Sequence, residues 1–289
     1  MDKNNWKYKP FPYLIIDNFL SDTSFQRLKK ELNENINIKQ KTFFTPLENK
    51  TIYRPTQIKK ETNYLIDLMA SEYVKDLISE KIGDFNILSM GETKDYSGYS
   101  PYHITQNGGF LGSHIDHSYI QNGDFCHIAN TIFYASNSWE KQWGGETILF
   151  SKHGYHEKVL IDPIPNRLII FFHTSNSFHG VKEYNSNLNI ERRTFYHDYY
   201  VKKSEVKYFI NNLNKKYSLS LKYRFHTTTF IPFLPFGFKN VKLKTILDIK
   251  NFNYINGYLI YIFNYIFKKE LISFKYVIRP FLKLFRKKF

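Results

Sequence analysis

Three side chains near the middle of the 289-residue chain have the types and spacing to hold a divalent metal. In the run GSHID, His114 and Asp116 stand two residues apart, and on a β-strand positions i and i+2 share a face. One imidazole and one carboxylate leave such an ion short of ligands. His179 follows the apolar run LIIFF within LIIFFHTSNSFHGV, the kind of strand that lies inside a barrel, and it can supply the third donor from the facing sheet. Two histidines and a carboxylate on one face of an octahedron leave three positions open, the donor set of non-haem Fe(II) sites. Further on, Arg192 and Arg193 each offer a planar fork that pairs bidentately with a carboxylate and stays charged when buried.

These residues need a scaffold that brings them to one mouth. From Phe85 onward, short runs rich in β-branched and aromatic residues alternate with Gly, Asn and Asp: FNILSM, SPYHIT, IANTIFYAS, ETILF, KVLIDP, NRLIIFFH and RRTFYHDYYV. Roughly eight strands at this spacing indicate a mainly β domain with flanking helices, a jelly roll of the cupin type whose inward-facing residues converge. Upstream, Tyr13 to Ile16 reads as a strand. An amphipathic helix follows, capped by Ser21 or Asp22 and carrying Phe25, Leu28 and Leu32 on one face. Residues 40 to 60, with Pro46 and Pro55 among polar residues, read as a loop. The spacing of Leu65, Leu68, Met69, Tyr73, Val74 and Leu77 predicts a second helix over Asn63 to Ile82.

Taken in order, the blocks HIDH, IFYASNSWEKQWGGETILF, DPIPNRLIIFFHTSNSFHGV and RRTFYHDYY resemble the 2-oxoglutarate and Fe(II)-dependent dioxygenases, most closely their prolyl-4-hydroxylase-like branch. The opening FPYLIIDNFLSDTSF is similar to the usual start of such domains, so the resemblance spans about residues 10 to 202. It implies a double-stranded β-helix core, with His114, Asp116 and His179 as iron ligands and His117 as the nearest competitor among the histidines. It also implies a basic anchor for the distal carboxylate of 2-oxoglutarate on the strand after the distal histidine. That register favours Arg192, with Thr194 and Tyr196 on its face and Arg193 outward; Arg193 as anchor is the alternative. Tyr134 matches a position where the family often sets a hydroxyl on the same carboxylate, although a buried structural tyrosine explains it too. Asn130 and Ile132 share its face and would line the pocket. Tyr102 and His103 precede the glycine-rich stretch and are further candidates for reaching a ligand.

The chemistry so implied is oxidative decarboxylation of 2-oxoglutarate by O2 to succinate and CO2, coupled to hydroxylation of an unactivated C–H bond, with ascorbate as a possible requirement. An aspartate at 116 leaves no position for a halide, which favours hydroxylation over halogenation. His117 to Phe125 and the stretch SNSWEKQWGGE, with Trp139 and Trp143, would border the substrate entrance. Their mixture of aromatic and polar residues suits a peptide, an amino acid or a glycan or lipid precursor equally. A catalytically silent jelly-roll binding module and a nucleic-acid oxidative demethylase are the competing readings. The demethylase branch carries a second arginine further along the anchor strand, and Phe195 to Val201 contains none.

The charge is unevenly placed. Residues 201 to 289 hold 19 Lys and Arg against three acids, Glu205, Asp248 and Glu270, a balance of +16, so residues 1 to 200 carry −1 of the total +15. The basicity therefore belongs to a C-terminal region, 203 to 289, distinct from a dioxygenase domain spanning 1 to 202. That region reads as largely helical and aromatic. Its run from Tyr254 to Phe267 is broken by Asn256, Gly257 and Asn264 and is shorter than the ~20 residues that cross a bilayer. A dimerisation surface or helical cap, or contact with a membrane surface, fits it better than nucleic acid. One cysteine, Cys126, excludes an internal disulfide. With no basic-then-apolar leader at the start, a cytoplasmic location, peripheral at the membrane where the C-terminal region contacts it, is the expectation.

Overall fold

The computed structural model describes residues 5–34, 38–45, 48–55, 59–83, 85–93, 101–120, 123–151, 154, 156–221, 223 and 228–230. Its main feature is one antiparallel sheet that curls on itself. The strand order is β1 (Tyr13–Ile16), β11 (Leu168–Phe172), β8 (Phe125–Tyr134), β13 (Arg192–Lys202), β5 (Tyr102–Thr105), β3 (Glu48–Pro55), β6 (Gly109–Ile115), β12 (His179–Tyr184), β9 (Thr147–Phe150) and β10 (Glu157–Ile161). Four strands pair off this path: β2 (Ile38–Thr45) on β3, β4 (Leu88–Ser89) on β13, β7 (Tyr119–Ile120) on β8 and β14 (Thr229–Phe230) on β6. Residues of β8 and β13 meet residues of β6, β12 and β9 around a single cavity. The fold is the jelly-roll, double-stranded β-helix core that the strand spacing predicts.

Aromatic and β-branched runs form β8, β11 and β13, strands buried along most of their length. Along β13 the period of two separates a cavity face, with Tyr196 and Asp198, from a face packed into the core, with Phe195 and Tyr199. Phe195 stacks on Tyr102 with centroids 4.7 Å apart, and the Tyr199 hydroxyl donates to the Met69 carbonyl. Outside the sheet, α1 (Asp22–Asn33) starts at Ser21, whose Oγ accepts from Ser24 N at 3.3 Å, and buries Phe25, Leu28 and Leu32.

Two local expectations fail for identifiable reasons. The helix expected over 63 to 82 is two helices, α2 (Lys60–Ala70) and α3 (Glu72–Ile82), broken where Ser71 is extended and its hydroxyl takes the Leu68 carbonyl at 2.6 Å. The loop expected over 40 to 60 contains the β2–β3 hairpin, in register from Ile38 opposite Pro55 to Thr45 opposite Glu48. Pro55 is accommodated at the strand's last residue, away from the middle of the ladder.

The core does not stop at residue 202. Helix α4 (Val206–Tyr217) buries Val206, Phe209, Ile210 and Leu213, and Phe209 meets Phe85 and Phe172 at 6.1 and 5.8 Å. Leu221 joins the same cluster, and β14 adds an edge to β6 beside His114. The described part of the region after 202 is thus packed against the domain expected to end there. Residues 231–289, which include the run Tyr254 to Phe267, lie outside the described residues. Among the described residues no helix is long and apolar enough to cross a membrane.

Candidate active site

His114 and His179 are direct cross-strand partners on the hydrogen-bonded pair β6 and β12. The distal histidine therefore comes from the neighbouring strand and not, as the sequence suggested, from the facing sheet. Gly180 permits this approach, because a Cβ there would lie 2.6 Å from the Leu111 carbonyl oxygen. The imidazole centroids are 4.3 Å apart, and each Nε2 lies 3.3 Å from a different oxygen of Asp116. His114 Nδ1 sits 2.9 Å from the Gly112 carbonyl and His179 Nδ1 sits 3.0 Å from that of Ser177. A carbonyl only accepts, so each Nδ1 carries its proton and each Nε2 lone pair faces the carboxylate. Lone pairs and a carboxylate converging in this way repel one another unless a cation lies between them, and the donor set fits a divalent metal. Burial and the neighbouring His179 hold His114 below its ordinary range. Burial would raise Asp116, but His179 and His114, in their protonated forms, outweigh it and keep the carboxyl well below its usual range; between neutral rings a metal ion would take the place of those protons. Neutral imidazole and ionised carboxylate are the forms that bind metal.

The triad opens on a cavity of about 410 Å³ whose wall includes Lys50, Ile52, His103, Leu111, Asn130, Ile132, Thr147, Val181, Tyr196 and Asp198. Asn130 Nδ2 donates to Asp116 Oδ2 at 2.9 Å and so orients the carboxylate. Arg192 is 1% exposed and lies behind Thr147, one side chain back from the wall. Its Nε donates to the Gly145 carbonyl at 2.7 Å and its Nη2 to Thr147 Oγ1 at 3.2 Å, while its guanidinium lies 5.3 Å from the Tyr134 ring centroid. Gly145 serves this contact. Gly145 has φ +78, and a Cβ there would stand 3.0 Å from Arg192 Cδ and 2.8 Å from the Tyr184 ring.

Among the described residues no ion pair neutralises Arg192. A buried guanidinium beside a cavity, with hydrogen bonds but no carboxylate, fits a carboxylate-bearing ligand. Arg193 points the other way, to Glu191 at 3.1 Å and Asn33 at 2.6 Å. The Tyr134 hydroxyl is joined to Thr147 Oγ1 at 2.6 Å, and burial pushes it up to about 12. Thr194 is buried, with its hydroxyl 3.4 Å from the His103 carbonyl.

Of the other candidates, His103 reaches the wall, its ring tilted against that of Tyr196 with centroids 4.3 Å apart, whereas Tyr102 is in the core. His117 and Ile120 border the cavity as the sequence suggested for their loop, but Trp139 and Trp143 are spent on Gly144 and Asn187 at 2.8 Å each and lie away from its wall. Lys50, Thr147 and Asp198 are among the wall residues that escaped sequence reasoning. Lys50 arrives on the unforeseen hairpin, paired with Glu48 at 3.0 Å. Asp198 continues the face of Arg192, Thr194 and Tyr196 at the same period of two, a signal that was present in the sequence. Burial and the charge of Asp116 push Asp198 up to about 6, against His117 and the Tyr200 hydroxyl.

Residues 98–199 match the family model described as the 2OG-Fe(II) oxygenase superfamily. No curated protein matches the chain. Among solved structures, the viral collagen prolyl hydroxylase of Paramecium Bursaria Chlorella virus-1, in its 2OG complex, is similar at 18% identity and a TM-score of 0.43, over 68% of this chain and 97% of that one. A prolyl hydroxylase of Trichoplax adhaerens, in complex with a hypoxia inducible factor peptide, is similar at 20% identity and a TM-score of 0.46, over 67% and 84%. A prolyl-4-hydroxylase of Pseudomonas putida is similar at 14% identity and a TM-score of 0.43, over 66% and 92%.

Proposed function

Residues 98–199 belong to the 2OG-Fe(II) oxygenase superfamily, and from that premise we propose a prolyl-hydroxylase-like enzyme in which His114, Asp116 and His179 hold Fe(II) and Arg192 receives the distal carboxylate of 2-oxoglutarate. The reaction is that of a 2-oxoglutarate-dependent dioxygenase: bound Fe(II), 2-oxoglutarate and O2 supply the oxidant for an unactivated C–H bond and leave succinate and CO2. The chain's own residues position the participants. His114 and His179 present fixed Nε2 lone pairs, Asn130 steadies Asp116, and Thr147 and Tyr134 brace the guanidinium. The observation that carries the assignment is the pair of 3.3 Å approaches of both Nε2 atoms to separate oxygens of one aspartate. Support for the prolyl-hydroxylase-like branch is the order of the four sequence blocks, and its substrate is a peptide, an amino acid or a glycan or lipid precursor. Anaerobic addition of Fe(II) and 2-oxoglutarate should give the weak visible band of their chelate, and succinate should follow on aeration. No band and no succinate would overturn the assignment.

Within residues 203–289, the part beyond the core-packed α4 and β14 serves, in this reading, as the attachment region of a cytoplasmic enzyme, to an anionic membrane surface or to a second copy of the chain. Support for the membrane surface is the +16 balance of residues 201–289, since each Lys or Arg near anionic lipid contributes about 1 kcal/mol. Full-length protein should sediment with anionic but not neutral vesicles, and less so at high salt. Indifference to vesicles together with a concentration-dependent dimer mass would favour the second copy.

A further inference from the structure

The cavity wall beyond Asp116 is built of acceptors. Asn130 spans it, with Nδ2 2.9 Å from Asp116 Oδ2 and 3.4 Å from Asp198 Oδ1. Both contacts are carboxylate oxygens, so only this orientation of the amide satisfies them, and Asn130 Oδ1 is left buried with no donor. Asp198 is 8% exposed and lines the same cavity. The Tyr200 hydroxyl reaches its Oδ2 only at 3.4 Å, long for a bond to a charged acceptor. An orphaned amide oxygen and a loosely held carboxylate thus belong to two residues, Asn130 and Asp198, that line the cavity together next to the metal triad.

Charge decides what suits this wall, taking the Fe(II) and 2-oxoglutarate reading of the site as its basis. A divalent ion, Asp116, the two carboxylates of 2-oxoglutarate and Arg192 cancel as a set, and Lys50 across the cavity is already joined to Glu48. Asp198 remains as surplus negative charge. His127 Nε2 is 3.7 Å from it, but burial holds that imidazole below its ordinary range. A second metal ion on His117, His127 and Asp198 suits the geometry less well. Carbonyl oxygens of His117 and Ala129 stand 2.9 and 3.1 Å from His127 Nδ1 and Nε2; the neutral ring donates to one of them, and an ion on the other nitrogen would be crowded by the second carbonyl.

We propose that Asp198 and Asn130 Oδ1 receive a cationic nitrogen of the primary substrate, a primary ammonium or a guanidinium, so that the enzyme oxidises an amine-bearing compound or a basic side chain. The shared amide nitrogen keeps the nearest oxygens of Asp116 and Asp198 within 6.3 Å of one another.

The test uses the full chain under argon at pH 8 with Fe(II) and 2-oxoglutarate, the chelate band being established first. Titration with n-butylammonium and, separately, with neutral butan-1-ol is followed by calorimetry and by perturbation of that band. The cation should bind at least about ten-fold more tightly than the alcohol, and Asp198→Asn should bring the two to parity. Equal binding in the unmodified chain overturns the proposal without any variant, even if Asp198→Asn does not fold. So does a preference that survives Asp198→Asn. Uptake of two equivalents of Mn(II) without amine, the second lost in Asp198→Asn, would assign the wall to a metal ion and also overturn it. Failure of the chelate band itself would remove the underlying reading of the site; a normal band with no cation preference removes only this proposal.

Discussion

Two clusters of two histidines and one aspartate lie on neighbouring parts of the same sheet, His114 with Asp116 and His179, and His117 with His127 and Asp198, each compact enough to hold an ion. Composition does not separate them; the direction of the nitrogen lone pairs does. In the first, each Nδ1 is committed to a carbonyl and each Nε2 faces the carboxylate. In the second, a backbone carbonyl stands against each nitrogen of His127, and the carboxylate keeps only long contacts. A metal centre is therefore identified by what the far side of each ring is bonded to. The second cluster has the character of a recognition wall.

The largest expected effect breaks the first cluster. His114→Ala, Asp116→Ala or His179→Ala each removes one of three protein ligands, and turnover and tight iron uptake should both vanish. His127→Ala should leave one equivalent of iron bound. Iron titration of the four variants checks the contrast, and full activity in any of the first three would move the centre elsewhere.

Arg192 and Arg193 test the same lesson on the co-substrate. Arg192→Ala leaves a bound carboxylate buried without its partner, a cost of about 3 to 5 kcal/mol. The apparent KM for 2-oxoglutarate should therefore rise by about two orders of magnitude or more, with iron binding kept. Arg193→Ala, which loses only contacts to Glu191 and Asn33, should be close to unmodified. A reversal of the two would shift the register of β13 by one residue.

How much of this was legible depended on how local the signal was. The spacing of His114 and Asp116 and the alternation of β13 follow from strand geometry and could be read directly. The pairing of His179 with His114 could not, because which strands become neighbours is settled by packing such as the Gly180 approach to Leu111. The β2–β3 hairpin was hidden by its prolines and polar residues, and with it Lys50. Asp198 was overlooked because a carboxylate on an alternating strand gains meaning only from what surrounds it, here Asn130 and the cavity. The division after residue 202 followed the change in charge, yet Phe209 and Leu213 of the following helix are buried in the same core. Truncation at 202 should give an unstable, aggregating fragment, so membrane attachment is better tested on a fragment ending at 230.

A third environment sharpens the comparison through pH. His197 is buried on the core side of β13, and burial pushes its imidazole down to about 4. The unfolded chain protonates it near 6.5, so above that pH it contributes no difference. As pH falls from 6.5 through 4 the unfolded state takes up the proton first, and stability drops by about 3 kcal/mol. Thermal melts of His197→Phe should be flatter than those of the unmodified chain over that interval, and parallel curves would mean that His197 titrates normally.

The smallest effect concerns how Tyr134 acts. Its hydroxyl meets Thr147 Oγ1 at 2.6 Å, and that oxygen also receives Arg192 Nη2 at 3.2 Å. The tyrosine therefore braces the anchor through one intermediate, and its ring lies alongside the guanidinium as well. Tyr134→Phe keeps the ring and removes one buried hydrogen bond, worth about 1 kcal/mol, which corresponds to roughly a five-fold rise in KM for 2-oxoglutarate. The iron chelate band should be unchanged. A rise approaching that of Arg192→Ala would mean that the hydroxyl bonds the co-substrate directly, with Thr147 displaced when the ligand binds. No change at all would make Tyr134 a packing residue, with Thr147 alone steadying the guanidinium.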